Sequence, residues 1–186
     1  MAIRKVARMG HPVLRKKARE LSKSEILSDE TRALVRDMVE TMNEYGGIGI
    51  AAPQIHESLS VAIIDYQEDG ESDQPLTVVI NPKITVLDAT EQGNWEGCLS
   101  VPEIRGLVYR PKKIQVDYLD LKAQPQTIVA DEFLATVFQH ELDHLFGVLF
   151  VDRVRYEPGK SPIAFMDEYT RYHAPDDEDE VGELED

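Results

Sequence analysis

His140-Glu141-Leu142-Asp143-His144 sets two imidazoles four residues apart, with a carboxylate directly after the first. On a helix, positions i and i+4 stack on one face, so both rings can reach one ion while Glu141 touches a water on that ion. This is the spacing of a metal hydrolase. Histidines buried against core partners share the composition. A catalytic metal usually takes three protein ligands and keeps one position for water, so a third donor must come from elsewhere. Cys98, the one cysteine of the chain, stands in Trp95-Glu96-Gly97-Cys98-Leu99-Ser100, where a loop or strand end would expose it. It can be a thiolate ligand, a nucleophile with a histidine as base, or a small buried hydrophobe.

A further segment with chemical content is Gly46-Gly47-Ile48-Gly49-Ile50-Ala51-Ala52-Pro53-Gln54. Its glycines allow close backbone approach, and its small residues leave room for an incoming chain. No Lys-Ser/Thr follows, which argues against a phosphate loop. Gln54 offers a neutral amide donor suited to a developing oxyanion, or is an ordinary surface glutamine.

These residues need elements to hold them. The histidine pair sits in a predicted helix that starts at Asp131 as N-cap, runs through Phe133, Leu134, Val137, Phe138, Leu142 and Leu145, and stops at Gly147. An earlier helix, Ser28 to Tyr45, carries Leu34, Val35, Met38, Val39 and Met42 as one apolar stripe and ends at Gly46-Gly47. Strands are expected over Leu59 to Tyr66, Thr77 to Asn81, Ile84 to Leu87, Ile114 to Leu121 and Thr127 to Val129, broken by Asp69-Gly70, Pro82 and Pro125. A last amphipathic helix, Ser161 to Tyr172, precedes Pro175. Strands in runs with segregated helices predict an α+β fold: small, largely antiparallel sheets around a central helix that carries the HExxH motif.

The chain has 186 residues, 42% of them hydrophobic and 30% charged, which suits one soluble domain. The expected division is a catalytic domain over residues 1–174 and a tail over 175–186. Net charge is −15, unevenly spread: seven cations precede Glu20 with no acid among them, and eight acids from Asp176 onward have no base. Such a tail self-repels and is expected to be disordered. One cysteine excludes an internal disulfide framework, no apolar run is long enough to span a bilayer, and the cytoplasm is the expected compartment. The Arg-rich start lacks the serine enrichment of a transit peptide.

Taken together, the three segments resemble the peptide deformylases, which remove the formyl group from the N-terminal formylmethionine of new proteins. The matching stretches are Gly47-Ile48-Gly49-Ile50-Ala51-Ala52-Pro53-Gln54, Glu96-Gly97-Cys98-Leu99-Ser100 and Gln139-His140-Glu141-Leu142-Asp143-His144. Met9-Gly10-His11-Pro12-Val13-Leu14-Arg15, Val101-Pro102-Glu103-Ile104-Arg105 with Arg110, and Leu145-Phe146-Gly147-Val148-Leu149-Phe150 extend the likeness to about Val154. Ile50 stands where the family usually has leucine, and the acidic end matches no family motif.

The resemblance implies one divalent ion held by Cys98, His140 and His144, with Glu141 as general base and Gln54 and the Leu99 backbone N–H on the oxyanion. Fe²⁺ is implied as the physiological ion, with Zn²⁺, Ni²⁺ or Co²⁺ able to replace it. The substrate implied is a nascent N-formylmethionyl polypeptide laid along Ile48 and Gly49, beside Arg105, with its methionine near Ile48, Leu99, Val137 and Glu96. The ribosome is a possible further partner; no nucleic-acid sequence is recognised and no membrane is involved. Two alternatives stand beside this reading. One is a zinc peptidase-like enzyme, carried by the histidine motif alone. The other is a non-catalytic ribosome-associated paralogue, which would fit a damaged site.

Overall fold

In the computed structural model of the chain, residues 2–66, 76–156 and 158–172 are described. The acidic tail, its junction at Pro175 and the expected Asp69-Gly70 turn lie outside them.

The apolar stripe of the first long helix forms as its periodicity predicts. Helix α1 (Lys23–Ile26) is one short turn with a Ser22–Glu25 capping box, and α2 (Asp29–Glu44) starts where Ser28 accepts a hydrogen bond from the Thr31 amide at 3.2 Å. Leu34, Val35, Met38 and Met42 of α2 are buried. They pack on strands β1 (Gly49–Ala51) and β2 (Val61–Ile64), against Ile50, Val61 and Ile63. The intervening side chains, Ala51, Ala62 and Ile64, point to the opposite face, as the period of two requires. There they meet α3 (Glu132–His144) through Val137, Phe138 and Leu142. A strand covered on both faces reads as a continuous apolar run, which is why Val61-Ala62-Ile63-Ile64 shows no alternation.

One six-stranded antiparallel sheet runs β1-β2-β3-β4-β5, with β6 attached to β4. Among the described residues the strands join in one sheet, antiparallel as expected, where small sheets were expected. Strands β3 (Thr77–Cys98) and β4 (Val101–Leu119) form one long hairpin closed by Leu99-Ser100, and β5 (Pro125–Asp131) completes the edge. Pro82 does not end a strand. A register shift between Ile80 and Lys83 absorbs it, and Asn81 takes a positive φ of 52° there while its side-chain amide bonds both backbone groups of Leu21. Residues 77–81 and 84–87 are thus pieces of one longer strand and 127–129 lie inside β5, whereas the strand expected over 59–66 shortens to Val61–Ile64 and that over 114–121 ends at Leu119.

Asp131 is at the N-cap of α3, but its carboxylate makes no capping bond and instead meets Lys113 across the β4–β5 pair at 3.1 Å. Past the other end, Gly147 has φ 74°, and the amides of Gly147 and Val148 return to His144 and Asp143. The last helix is shorter than expected. Residues Ile163–Phe165 are β6, paired with Ile104–Gly106 of β4, and only Met166–Tyr172 are helical as α4. The N-terminal segment ties the layers together: Ala7 donates to the Gln54 carbonyl and Met9 to the Ser100 carbonyl, both at 2.7 Å, and Ala18 donates to Leu145 at 2.8 Å. No helix among the described residues is long and apolar enough to cross a membrane.

Candidate metal centre

The tip of the β3–β4 hairpin, the C-terminal half of α3 and the turn after β1 converge on one spot. Cys98 is the last residue of β3 and pairs with Val101 across the hairpin turn. Its Sγ and one nitrogen each from His140 and His144 all lie within 4.8 Å of one another. Cys98 Sγ is 3.3 Å from His144 Nε2. Bonds of about 2.0–2.3 Å at a tetrahedral angle would hold sulfur and nitrogen about 3.6 Å apart, so the pair is spaced for a shared ion. Two imidazoles and a sulfur are donors that suit a divalent transition metal.

Two buried polar atoms lack a hydrogen-bond partner among the described residues: Glu141 Oε2 and His144 Nδ1. A bare carboxylate oxygen beside three converging donors calls for a polar partner that the protein does not supply, as a water on an ion would be. Burial lifts the Glu141 carboxyl to about 7. Burial and the nearby His140 push His144 well below its usual value, leaving it neutral with a lone pair to give. At His140 burial likewise lowers the value, but hydrogen bonds that the ring donates to Cys98 and Glu96 prevail and raise it well above its ordinary value.

Behind the donors lies a buried ionic network. Glu96 Oε2 takes His140 Nδ1 at 2.8 Å, which fixes the ring and leaves its other nitrogen facing Cys98. Arg110, 2% exposed, donates to both Glu96 oxygens, at 2.6 and 2.9 Å, and to Asp143 at 2.8 Å. Arg153 closes the chain on Asp143. Burial works against the Glu96 charge, but Arg110 and His140 outweigh it and hold the carboxyl below its usual value. Of this network the sequence marks Glu96, Arg110, His140 and Asp143 as members of family-like stretches; that they meet, and that Arg153 joins them, depends on hairpin register and tertiary packing.

Every expected site residue except His144 lines one cleft of about 540 Å³, and His144 lies beneath it at 1% exposure. Gln54 is buried, and its amide is oriented: Oε1 accepts the Ala51 amide at 2.7 Å, so Nε2 faces Cys98 Sγ at 3.5 Å and Ser100 Oγ at 3.4 Å. Leu99 occupies the hairpin turn beside Cys98. Ile48 and Gly49 form the wall at β1, and a Cβ built on Gly49 would fall 2.7 Å from both Cγ and Oε1 of Glu141. Arg105 lies across Gly97 so closely that a Cβ there would overlap its guanidinium. Val137 and Glu96, expected near the methionine, are in the cleft as well. Met166 and Tyr169 also line it, which sequence reasoning missed because α4 carries no signal of what it faces.

Most of the chain resembles known proteins. The sequence profile of the polypeptide deformylases matches residues 3–158. A peptide deformylase of Leptospira biflexa is 41% identical over 160 residues, covering 83% of this chain and 89% of that one. Another, of Finegoldia magna, is 44% identical over 155 residues, covering 83% and 91%. Among solved structures, a class I type b peptide deformylase of Acinetobacter baumannii with Met-Ala-Ser bound superposes with a TM-score of 0.78 at 36% identity, over 82% of this chain and 99% of the other. The Synechococcus elongatus enzyme in complex with actinonin gives 0.75 at 41% identity, over 82% and 80%. Sequence and fold agree over most of the chain, and on both it belongs to the polypeptide deformylase family.

Proposed function

We propose that this chain hydrolyses the formyl group from the N-terminal formylmethionine of nascent polypeptides, using one divalent ion held by Cys98, His140 and His144. The observation that carries the reading is the unpartnered Glu141 Oε2, buried beside the three converging donors and beneath Gly49. When bound, such an ion lowers the pKa of its water towards about 7 and so supplies the strong nucleophile that a resonance-stabilised formamide needs at neutral pH. Glu141 takes the proton of the attacking water and passes it to the departing amine. The Gln54 amide, already turned towards Cys98, and the Leu99 N–H donate to the oxyanion of the tetrahedral intermediate. β1 is an outer strand of the sheet, so an extended substrate can add to its free edge at Ile48 and Gly49, with Arg105 beside it. The methionine side chain enters among Ile48, Leu99 and Val137.

One thiolate and two imidazoles accept Fe²⁺, Zn²⁺, Ni²⁺ or Co²⁺, and we assign Fe²⁺ as the physiological ion on the family resemblance. Substrates that arise during translation place the work in the cytoplasm. The exposed Lys5, Arg8, Lys16 and Lys17 are the better surface for any ribosome contact, since an acidic tail is repelled by RNA phosphates.

Formyl-Met peptides should be cleaved far faster than acetyl-Met peptides, because an added methyl crowds a site shaped for hydrogen. A chelator should abolish this activity and Fe²⁺, Ni²⁺ or Co²⁺ restore it. Cys98→Ser separates ligand from nucleophile: as a ligand the thiol is needed for the metal to stay, whereas a nucleophile variant would keep the metal and lose turnover. Cleavage of internal peptide bonds, or activity in metal-free protein, would overturn the assignment.

A further inference from the structure

The family match ends at residue 158, yet the chain continues into β6 and α4, and these return to the cleft. β6 adds to the edge of β4 in register with the cleft wall, Arg105 opposite Ala164. Leu107 donates to the Pro162 carbonyl at 2.8 Å and fixes where the added strand begins. α4 then places Met166 and Tyr169, three residues apart and therefore on one helix face, into the lining of the same cleft. The Tyr169 ring packs on Trp95, 5.4 Å between centroids and tilted by 52°. The segment is held by strand pairing on one side and ring packing on the other.

A volume of about 540 Å³ falls in the range that encloses whole drug-sized ligands, more than one formylated residue fills. A peptide that starts at the metal and runs extended advances about 3.3 Å per residue, so its second and third residues lie towards the cleft rim. We propose that Met166 and Tyr169 are specificity-determining residues, forming an apolar wall that selects the side chains after formylmethionine and favours apolar over charged ones. This rests on the substrate reading given above. Their contacts are remote from the scissile bond and equal in ground and transition states, so they act on KM and leave kcat nearly untouched.

The test compares formyl-Met-Leu-Ser, formyl-Met-Lys-Ser and formyl-Met alone. For wild type the tripeptide with leucine should have the highest kcat/KM. Met166→Ala and Tyr169→Ala should each cut its advantage over formyl-Met by roughly fivefold to tenfold, through KM, as loss of a partly exposed apolar contact implies. Met166→Glu should move the preference from the leucine to the lysine peptide, a reversal that loss of structure cannot produce. Bound metal and unfolding temperature are measured alongside. Equal losses on all three substrates, or an unmoved leucine-to-lysine ratio in Met166→Glu, would overturn the proposal. Wild type inactive on every formyl substrate would instead overturn the deformylase reading itself.

Discussion

Glu141 is held by what surrounds it more than by bonds of its own. The β1 backbone at Gly49 presses on its stem, the histidines flank it, and one carboxylate oxygen is left unpartnered. Glu141→Gln keeps this shape and removes the proton carrier. The variant should retain its metal and still bind formyl-Met peptide, while kcat falls by about 10²–10⁴-fold, the usual worth of general acid–base catalysis. Steady-state kinetics beside metal analysis decides it, and normal turnover would remove Glu141 from the mechanism. At this scale the sequence is legible where chemistry is periodic: His140 and His144 declare themselves by spacing. Cys98 needed the demand for a third donor. The link from Glu96 through Arg110 to Asp143 was illegible, because it depends on how the hairpin strands slide past one another over four irregular steps.

Gly49 is a glycine for want of space. Its side-chain position is already occupied by Glu141, so Gly49→Ala must displace the Glu141 carboxylate, proposed above as the general base, or the strand itself. A shift of about 1 Å costs on the order of 10²-fold in rate, and that loss should appear in kcat with the metal retained. A variant as fast as wild type would mean that the carboxylate tolerates movement. Elements were read in proportion to how self-contained their signals are. The two long helices bury a single stripe or nearly a whole surface, and periodicity finds both. Sequence shows the hairpin in fragments, since proline reads locally as a break, whereas an extra residue in its own strand, between Ile80 and Lys83, accommodates it. The start of the last helix was misplaced because Ile163–Phe165 is extended only through its pairing with Ile104–Gly106, a partner some sixty residues away.

In the whole molecule, the site is assembled from segments that are distant along the chain, and the α+β class was foreseeable while the single sheet that joins them was not. Family resemblance supplied what pattern alone lacks, namely that the three segments meet. The N-terminal segment secures that meeting, since the amides of Ala7 and Met9 are bound to the carbonyls of Gln54 and Ser100. Those two hydrogens are replaced by deuterium when the contact between the N-terminal segment and the Gln54 turn or the hairpin tip opens. Their exchange rates are therefore a clock for the loosening of the two turns that carry Gln54 and Leu99, readable without substrate and before any turnover. Loading a divalent ion, which would tether Cys98 two residues from Ser100, should slow the Met9 amide more than that of Ala7, and an unchanged Met9 rate would show that the hairpin tip is already rigid in the metal-free protein.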